Sequence, residues 1–275
     1  MPCYLPKSRV MIVFRQLRKI PMRAAWLYPP GNEVLFNMSN AKIIYIADVY
    51  CPWCYGFGPL MHRLSQEHPE FPVAVYGGNL MSQPVDLANL AVMEPGEEKF
   101  WTEVEKTTGR SLQGAIDALE NRKHMRLYSP GADAILIALK ELAPGNELEQ
   151  VLMLEDMFYG QGMDLFGDEA LEQMARRWNV SAQAIADKTN APEMQRKVEE
   201  NLATAAALMG EIGAYPSIFL VRGNRRDAVS RGFVRYATVD QRMQDAMQDL
   251  ALEDINPQGS CTWHDNCNFS RKRKG

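Results

Sequence analysis

The 275-residue sequence contains no apolar run of about 18 residues, the length that a membrane-spanning helix needs. Near its start the apolar stretch at residues 10–14 is ended by Arg15, well short of the roughly 7–15 apolar residues of a secretory signal. Five cysteines are also few for a scaffold of this size that would depend on disulfides. These absences predict a cytoplasmic protein without membrane contact.

Basic side chains are scarce in the body of the sequence. The formal net charge is −4, but many of the bases lie in residues 1–37 and 271–274, so that the segment between them is strongly acidic. Nucleic-acid binding needs clustered positive charge, and we therefore expect no nucleic-acid partner. The hydrophobic share of 46% and the charged share of 23% are typical of a globular protein with a buried core.

The first strong secondary-structure signal lies between residues 43 and 78. Residues 43–50 are β-branched and aromatic with apolar side chains on both faces, which indicates a strand in the middle of a sheet. A helix is predicted from there to about His68, where Pro69 ends it, and a second strand covers residues 71–78. The order strand–helix–strand predicts a βαβ unit.

Helical periodicity dominates residues 85–210, and strand character returns at 217–221 and 228–236 before a last helix at 239–252. We predict an α/β fold in which residues 38–84 and 211–253 form one domain, interrupted by an inserted helical subdomain at 85–210. Residues 1–37 are expected to be a loose basic extension, and residues 254–275 a basic tail that contains cysteines.

The run Cys51-Pro52-Trp53-Cys54, directly after the first predicted strand, indicates a reactive cysteine pair. A thiolate is the attacking species in disulfide exchange, and the unpaired N–H groups at a helix N-terminus favour a negatively charged sulfur. Cys51 would lie near the N-cap, Pro52 suits the first helical position, and Cys54 follows one turn later. We predict that Cys51 is the exposed nucleophile and that the deeper Cys54 resolves the mixed disulfide.

Two other interpretations of this pair stay open from the residues alone. A Cys-x-x-Cys run can be half of a zinc site, for which Cys261 and Cys267 would supply the other half, and the cysteines could be inert structural residues. The buried strand before the pair, the proline at the helix start and the long helix after it favour redox chemistry. No metal site is expected.

Two further candidates lie far away in sequence. Tyr215-Pro216 precedes a late strand, where the proline is either an ordinary trans residue or part of a cis bond that presents the Tyr215 backbone to a client. Cys261 and Cys267 flank His264 at spacings of three. They are a candidate second redox pair, ligands of a metal together with His264, or idle residues of a tail.

With these motifs the sequence resembles the DsbA-like branch of the thioredoxin superfamily, in particular its cytosolic members with a CPWC site. The resemblance covers about residues 38–253 and rests on strand–CPWCYG–helix, the helical insertion and GAYPSIFLV. It implies a thioredoxin-like fold and a protein disulfide oxidoreductase or isomerase. It also implies that Cys51 attacks, that Cys54 resolves and that Pro216 is cis. The candidate substrate contacts are Pro216, Tyr215, Trp53 and Pro52.

The sequence departs from that pattern at two positions. Several thioredoxin-like enzymes carry a buried acid six residues before the first cysteine, whereas this chain has Tyr45. Asp48 is a candidate proton acceptor for Cys54, and its alternative role is a capping or solvated acid at the strand end. The periplasmic oxidases have histidine before the second cysteine, whereas this chain has Trp53, so strong oxidising power is not expected.

Two other functions would use the same fold. The layout is similar to that of kappa-class glutathione transferases and 2-hydroxychromene-2-carboxylate isomerases, in which an aspartate and two residues precede a serine at the helix start. Asp48 stands in that relation to Cys51, but those enzymes need no second cysteine, so Cys54 favours disulfide exchange. A non-catalytic thioredoxin-like binding protein is the third candidate.

The expected partners are thiol and disulfide substrates, either proteins or small molecules. No bound cofactor is expected, and glutathione is a candidate electron donor or co-substrate.

Overall fold

The structure, a computed structural model, describes residues 40–93 and 96–255. Its strands are β1 (Lys42–Ala47), β2 (Val73–Gly77), β3 (Val85–Asp86), β4 (Arg126–Leu127), β5 (Ser217–Arg222) and β6 (Arg225–Arg231). Its helices are α1 (Pro52–Glu67), α2 (Leu87–Met93), α3 (Glu97–Thr108), α4 (Gln113–Glu120), α5 (Ser129–Leu142), α6 (Glu147–Tyr159), α7 (Asp168–Trp178), α8 (Ala182–Thr189), α9 (Met194–Met209) and α10 (Tyr236–Ile255).

Four of the strands form one sheet in the order β2-β1-β5-β6, and β3 pairs with β4 separately. Strand β1 runs parallel to β2 and antiparallel to β5, so it occupies the interior of the sheet. Five of its six residues are buried, as its continuous apolar character predicts. The βαβ unit formed by β1, α1 and β2 is confirmed, as is the α/β thioredoxin-like fold class.

Both faces of β1 are covered, because alternate side chains of a strand point to opposite sides. Ile43 and Tyr45 belong to the large core that includes residues of α1, α6 and α10. Ile44 and Ile46 pack on the other face with Ala205 and Met209 of α9. Helices from the predicted insertion therefore share the core of the sheet and cover one of its faces.

The predicted and observed elements differ most at the C-terminal hairpin. The strand predicted at residues 228–236 begins earlier, because the two residues Gly223 and Asn224 are enough to turn the chain and let Arg222 pair with Arg225. Strand β6 ends at Arg231, and α10 begins at Tyr236, three residues before the predicted start. Two short strands, β3 and β4, also occur where only helix was expected.

The domain boundaries stay a prediction at both ends of the chain. The extension proposed for residues 1–37 lies outside the described residues, and so does the tail from residue 256. Within the described part, no helix combines the length and apolar character required to cross a bilayer.

Candidate active site

Sheet topology brings the two predicted halves of the site together. Ile46 of β1 pairs with Ser217 of β5, and the strands are antiparallel. The segment that leaves β1 toward Cys51 and the segment that enters β5 through Pro216 therefore meet at the same end of these two strands. The Cys51 sulfur lies 4.0 Å from the Tyr215 carbonyl oxygen, although 164 residues separate them in sequence.

Cys51 is the N-cap of α1, as the sequence predicts, and Pro52 opens the helix. The Cys51 backbone is extended, with φ −93° and ψ 111°, and its carbonyl accepts the first helical hydrogen bonds, from Cys54 N at 3.0 Å and Tyr55 N at 3.2 Å. One expectation needs correction: Cys51 is only 6% exposed rather than open to solvent. Neighbouring segments cover Cys51, because the loop that contains Tyr215 lies directly beside its sulfur.

Cys54 lies deeper, with no exposed surface, and both cysteines are reduced. The pKa of the Cys54 thiol is raised well above its usual value, first by burial and then by its hydrogen bond to Cys51 and the nearby charge of that sulfur. Cys54 is the third residue of α1 and lies one turn from the N-cap Cys51, which is the arrangement that disulfide formation requires.

The Tyr215–Pro216 peptide is cis, as the resemblance implied. Pro216 itself is buried, while Tyr215 is half-buried and its hydroxyl accepts a hydrogen bond from Asn79 N at 3.1 Å. That contact joins the loop after β2 to the loop before β5 beside the cysteines. Of the four predicted substrate contacts, two lie in this loop, and Tyr215 presents accessible surface whereas Pro216 presents little.

Trp53 stands in an aromatic group next to the cysteines. Its ring lies 5.2 Å from that of Phe233 and 6.3 Å from that of Phe100, which is 42% exposed. Trp53 is half-buried, whereas the other intervening residue, Pro52, is buried. A client that reaches Cys51 would meet Trp53 and Phe100 before Pro52.

Asp48 is buried at the turn between β1 and Cys51. Its carboxylate accepts hydrogen bonds from Tyr50 N at 2.8 Å, Leu80 N at 2.7 Å and the Ser129 side chain. Burial raises the pKa of Asp48, and these three bonds oppose that rise. The Asp48 carboxylate thus stabilises the turn through these hydrogen bonds. The Cys54 thiol interacts with the backbone of Asp48 rather than with its carboxylate.

A buried acid that sequence reasoning missed is Glu155 on α6. It has no exposed surface, and burial raises its pKa well above the usual value, with the charge of Cys51 adding to the rise. The signal was present in the sequence: Glu155 follows the buried Val151 by four residues and precedes the buried Tyr159 by four, so it occupies the apolar stripe of its helix.

The second candidate pair, Cys261 and Cys267, lies outside the described residues together with His264. Among the residues that the structure does describe, no group of three or more histidine, cysteine or acidic side chains is arranged to hold a metal ion.

A family model described as the DSBA-like thioredoxin domain matches residues 42–244. Solved structures with a similar fold include a putative protein disulfide isomerase from Nitrosomonas europaea, at 19% identity and TM-score 0.62, covering 76% of this chain and 98% of that chain. The cytosolic disulfide reductase DsbM from Pseudomonas aeruginosa is similar at 19% identity and TM-score 0.60, covering 77% and 99%.

A further similar structure is that of a 2-hydroxychromene-2-carboxylate isomerase, at 11% identity and TM-score 0.50, with 79% of this chain and 99% of that chain covered. DsbM has also been solved with GSH, and that structure matches at 20% identity and TM-score 0.56, over 75% of this chain and 98% of that one. No curated protein sequence matches this chain. At these identities the structural neighbours establish the fold and nothing finer.

Proposed function

The chain belongs to the DSBA-like thioredoxin family, and from this premise we propose that it is a thiol–disulfide oxidoreductase whose reactive pair is Cys51 and Cys54. One observation carries the proposal: Cys51 is the N-cap of α1, and the buried Cys54 is the third residue of that helix, one turn away. Neither a single-cysteine transferase nor an inert scaffold needs two adjacent sulfurs at a helix N-terminus.

The proposed reaction is a two-step exchange. The Cys51 thiolate attacks a substrate disulfide, which forms a bond from Cys51 to one substrate sulfur and releases the other as a thiolate. Cys54 then loses its proton and attacks Cys51, which releases the second substrate thiolate and leaves a Cys51–Cys54 disulfide. The substrate gains two electrons, the protein loses two, and an external thiol must return them.

We propose that this external thiol is glutathione and that the reaction takes place in the cytoplasm. The support is a neighbour titled a cytosolic disulfide reductase, which has also been solved with GSH. Substrates are then small or protein disulfides that approach past the exposed Phe100 and the half-buried Trp53.

The direction of exchange should be reducing. Pro52 and Trp53, the two residues between the cysteines, carry no charge that would add to the effect of the helix N-terminus on the Cys51 thiolate. Strong oxidants are those whose reduced form is stabilised, with potentials near about −120 mV, whereas thioredoxin lies at about −270 mV. Equilibration with glutathione buffers should give a reduction potential below about −200 mV for the Cys51–Cys54 disulfide. A value near that of the strong oxidants would contradict a reductase.

A second candidate function, glutathione transfer or isomerisation, has one observation in its favour, the similar isomerase fold. Cys54→Ser separates it from disulfide exchange. We expect this variant to form a mixed disulfide at Cys51 and to accumulate it, because the resolving sulfur is gone, so that turnover in an insulin-reduction assay is lost. A variant that keeps full turnover with glutathione would instead support the transferase or isomerase.

A further inference from the structure

Two polar side chains are buried without hydrogen-bond partners near the cysteines. Neither carboxylate oxygen of Glu155 has a partner among the described residues, and the Tyr45 hydroxyl also has none. The buried Cys54 thiol interacts with both, since the charge of Glu155 acts on Cys54 and the charge of Cys54 acts on Tyr45. An unpaired buried carboxyl is costly, and native proteins retain such groups mostly where function requires them.

Contacts that follow Glu155 on α6 place it near Cys54. One residue further along the helix, Asp156 Oδ1 accepts a hydrogen bond from the Tyr55 hydroxyl at 3.3 Å. One turn after Glu155, the Tyr159 ring stacks on the Tyr55 ring at 5.2 Å, and the Tyr159 hydroxyl donates to Tyr50 O at 2.5 Å. Asp156 and Tyr159 thus hold α6 against the first turn of α1, and Glu155 is buried one residue before Asp156 and one turn before Tyr159.

We propose that Glu155 exchanges a proton with the Cys54 thiol during resolution of the mixed disulfide. The inference rests on the proposed dithiol function and adds the group that makes its second step fast. Asp48 is less suited to this role, because backbone N–H groups and Ser129 already occupy its carboxylate. Glu155 is a positioning residue, since it acts on the substrate only through Cys54.

The proton balance is closed within the site. When the mixed disulfide forms, ionised Glu155 takes the proton of Cys54, whose thiolate attacks Cys51 and expels the substrate thiolate. When glutathione later reduces the Cys51–Cys54 disulfide, protonated Glu155 returns the proton to the Cys54 sulfur. Burial raises the pKa of Glu155 above the usual carboxyl value, which makes its carboxylate a better proton acceptor for a thiol than an exposed one.

Other titratable groups lie around Glu155. Those with a direct influence are Cys51 and Cys54 on α1, Asp48 and Tyr45 at β1, and Arg110 before α4, which is paired with Asp156. Groups on the packed elements without such an influence include His62, Arg63 and Glu67 on α1, Asp133 and Lys140 on α5, Glu147 at the start of α6, and the exposed Asp117 and Glu120 on α4.

The test is the reaction of 5,5′-dithiobis(2-nitrobenzoate) with the reduced full-length protein in which Cys3, Cys261 and Cys267 are serine. The reagent releases one chromophore on attack by Cys51 and a second on resolution by Cys54. In Glu155→Gln, we expect the first phase to be unchanged and the second to be about 100-fold slower at pH 7, the lower range for a lost general base. Raising the pH should reduce the difference in second-phase rate between the variant and the wild type, because hydroxide then removes the proton of the Cys54 thiol. A purely electrostatic role predicts the opposite, since removing a nearby negative charge would speed the second phase.

Asp133→Asn is the matched control, because Asp133 is another buried carboxyl without partners whose raised pKa has no cysteine among its causes. It should leave both phases unchanged. A second phase that is unaffected in Glu155→Gln, or slowed equally in Asp133→Asn, would overturn the inference while the dithiol function stands. Loss of the second phase in the wild type, by contrast, would overturn the dithiol function itself.

A measurement on proteins with an intact Glu155 keeps the inference testable if Glu155→Gln does not fold. The infrared difference spectrum between oxidised and reduced protein should contain a protonated-carboxyl band that changes with oxidation and persists in Asp133→Asn. A spectrum without such a band would overturn the proton exchange.

Discussion

Replacing Cys51 with serine should lower disulfide exchange to the uncatalysed rate. A serine hydroxyl is not ionised at neutral pH and cannot form a disulfide, so the first step is lost. Cys54 cannot take over, because it has no exposed surface and its pKa is raised by burial. The effect should therefore exceed that of Cys54→Ser, which retains the first half of the reaction.

The comparison is cleanest in a background in which Cys3, Cys261 and Cys267 are serine, so that Cys51 and Cys54 are the only thiols. In this background Cys51→Ser should form no mixed disulfide with oxidised glutathione, as followed by mass spectrometry, whereas Cys54→Ser should form one. If Cys51→Ser formed the adduct and Cys54→Ser did not, the assignment of nucleophile and resolving residue would be reversed. If the background itself lost turnover, Cys261 and Cys267 would be part of the electron path, as their candidate role as a second redox pair predicts.

The strands and helices that build the site were largely predictable because their signals are local. A continuous apolar strand, a proline at N1 and a proline just after the helix fix β1 and α1 within a few residues. Strand β5 lies where it was predicted, whereas β6 was placed too late, since the arginines that follow the two-residue turn do not resemble a strand.

The partners of the cysteines were harder to predict, because they depend on packing between distant segments. The position of Tyr215 beside Cys51 follows from the antiparallel register of β1 and β5, which the sequence does not specify. Likewise, Asp48 was a reasonable candidate for the proton acceptor until its backbone partners were known. Glu155 stood out only as an acid in an apolar stripe, and nothing local connects it with Cys54.

Stability should fall as pH rises toward 7, with Asp133 as one identifiable cause. Asp133 is 2% exposed, and its carboxylate oxygens have no partner among the described residues. Burial raises its pKa to about 7, the charge of Asp48 adds to the rise, and Lys140 opposes it. The Asp133 carboxylate also packs closely against Gly77, since a Cβ added at Gly77 would lie 2.2 Å from Asp133 Oδ1.

The sign follows from proton linkage. The unfolded chain has an aspartate pKa of about 3.9, so between that pH and 7 the folded protein holds a proton that the unfolded chain has lost. The stabilisation from this group is complete below about pH 4, declines as pH rises, and is gone above about pH 7. The difference between a pKa of about 3.9 in the unfolded chain and about 7 in the folded protein corresponds to roughly 4 kcal/mol of free energy of unfolding, of which about 3 kcal/mol is lost between pH 5 and 8.

Asp133→Asn isolates this contribution, because the amide is similar in size and does not titrate. Urea unfolding should be measured for the wild type and the variant at pH 5 and pH 8. The free energy of unfolding of the variant, relative to that of the wild type, should be about 3 kcal/mol higher at pH 8 than at pH 5. Asp187→Asn, at an exposed site on α8, serves as the control and should follow the wild type at both pH values. Parallel pH dependence of Asp133→Asn and wild type would mean that the folded protein accommodates the Asp133 charge, through Lys140 or by admitting water. In that case the remaining pH dependence would belong to Glu155, whose neutral form is favoured by burial in the same direction.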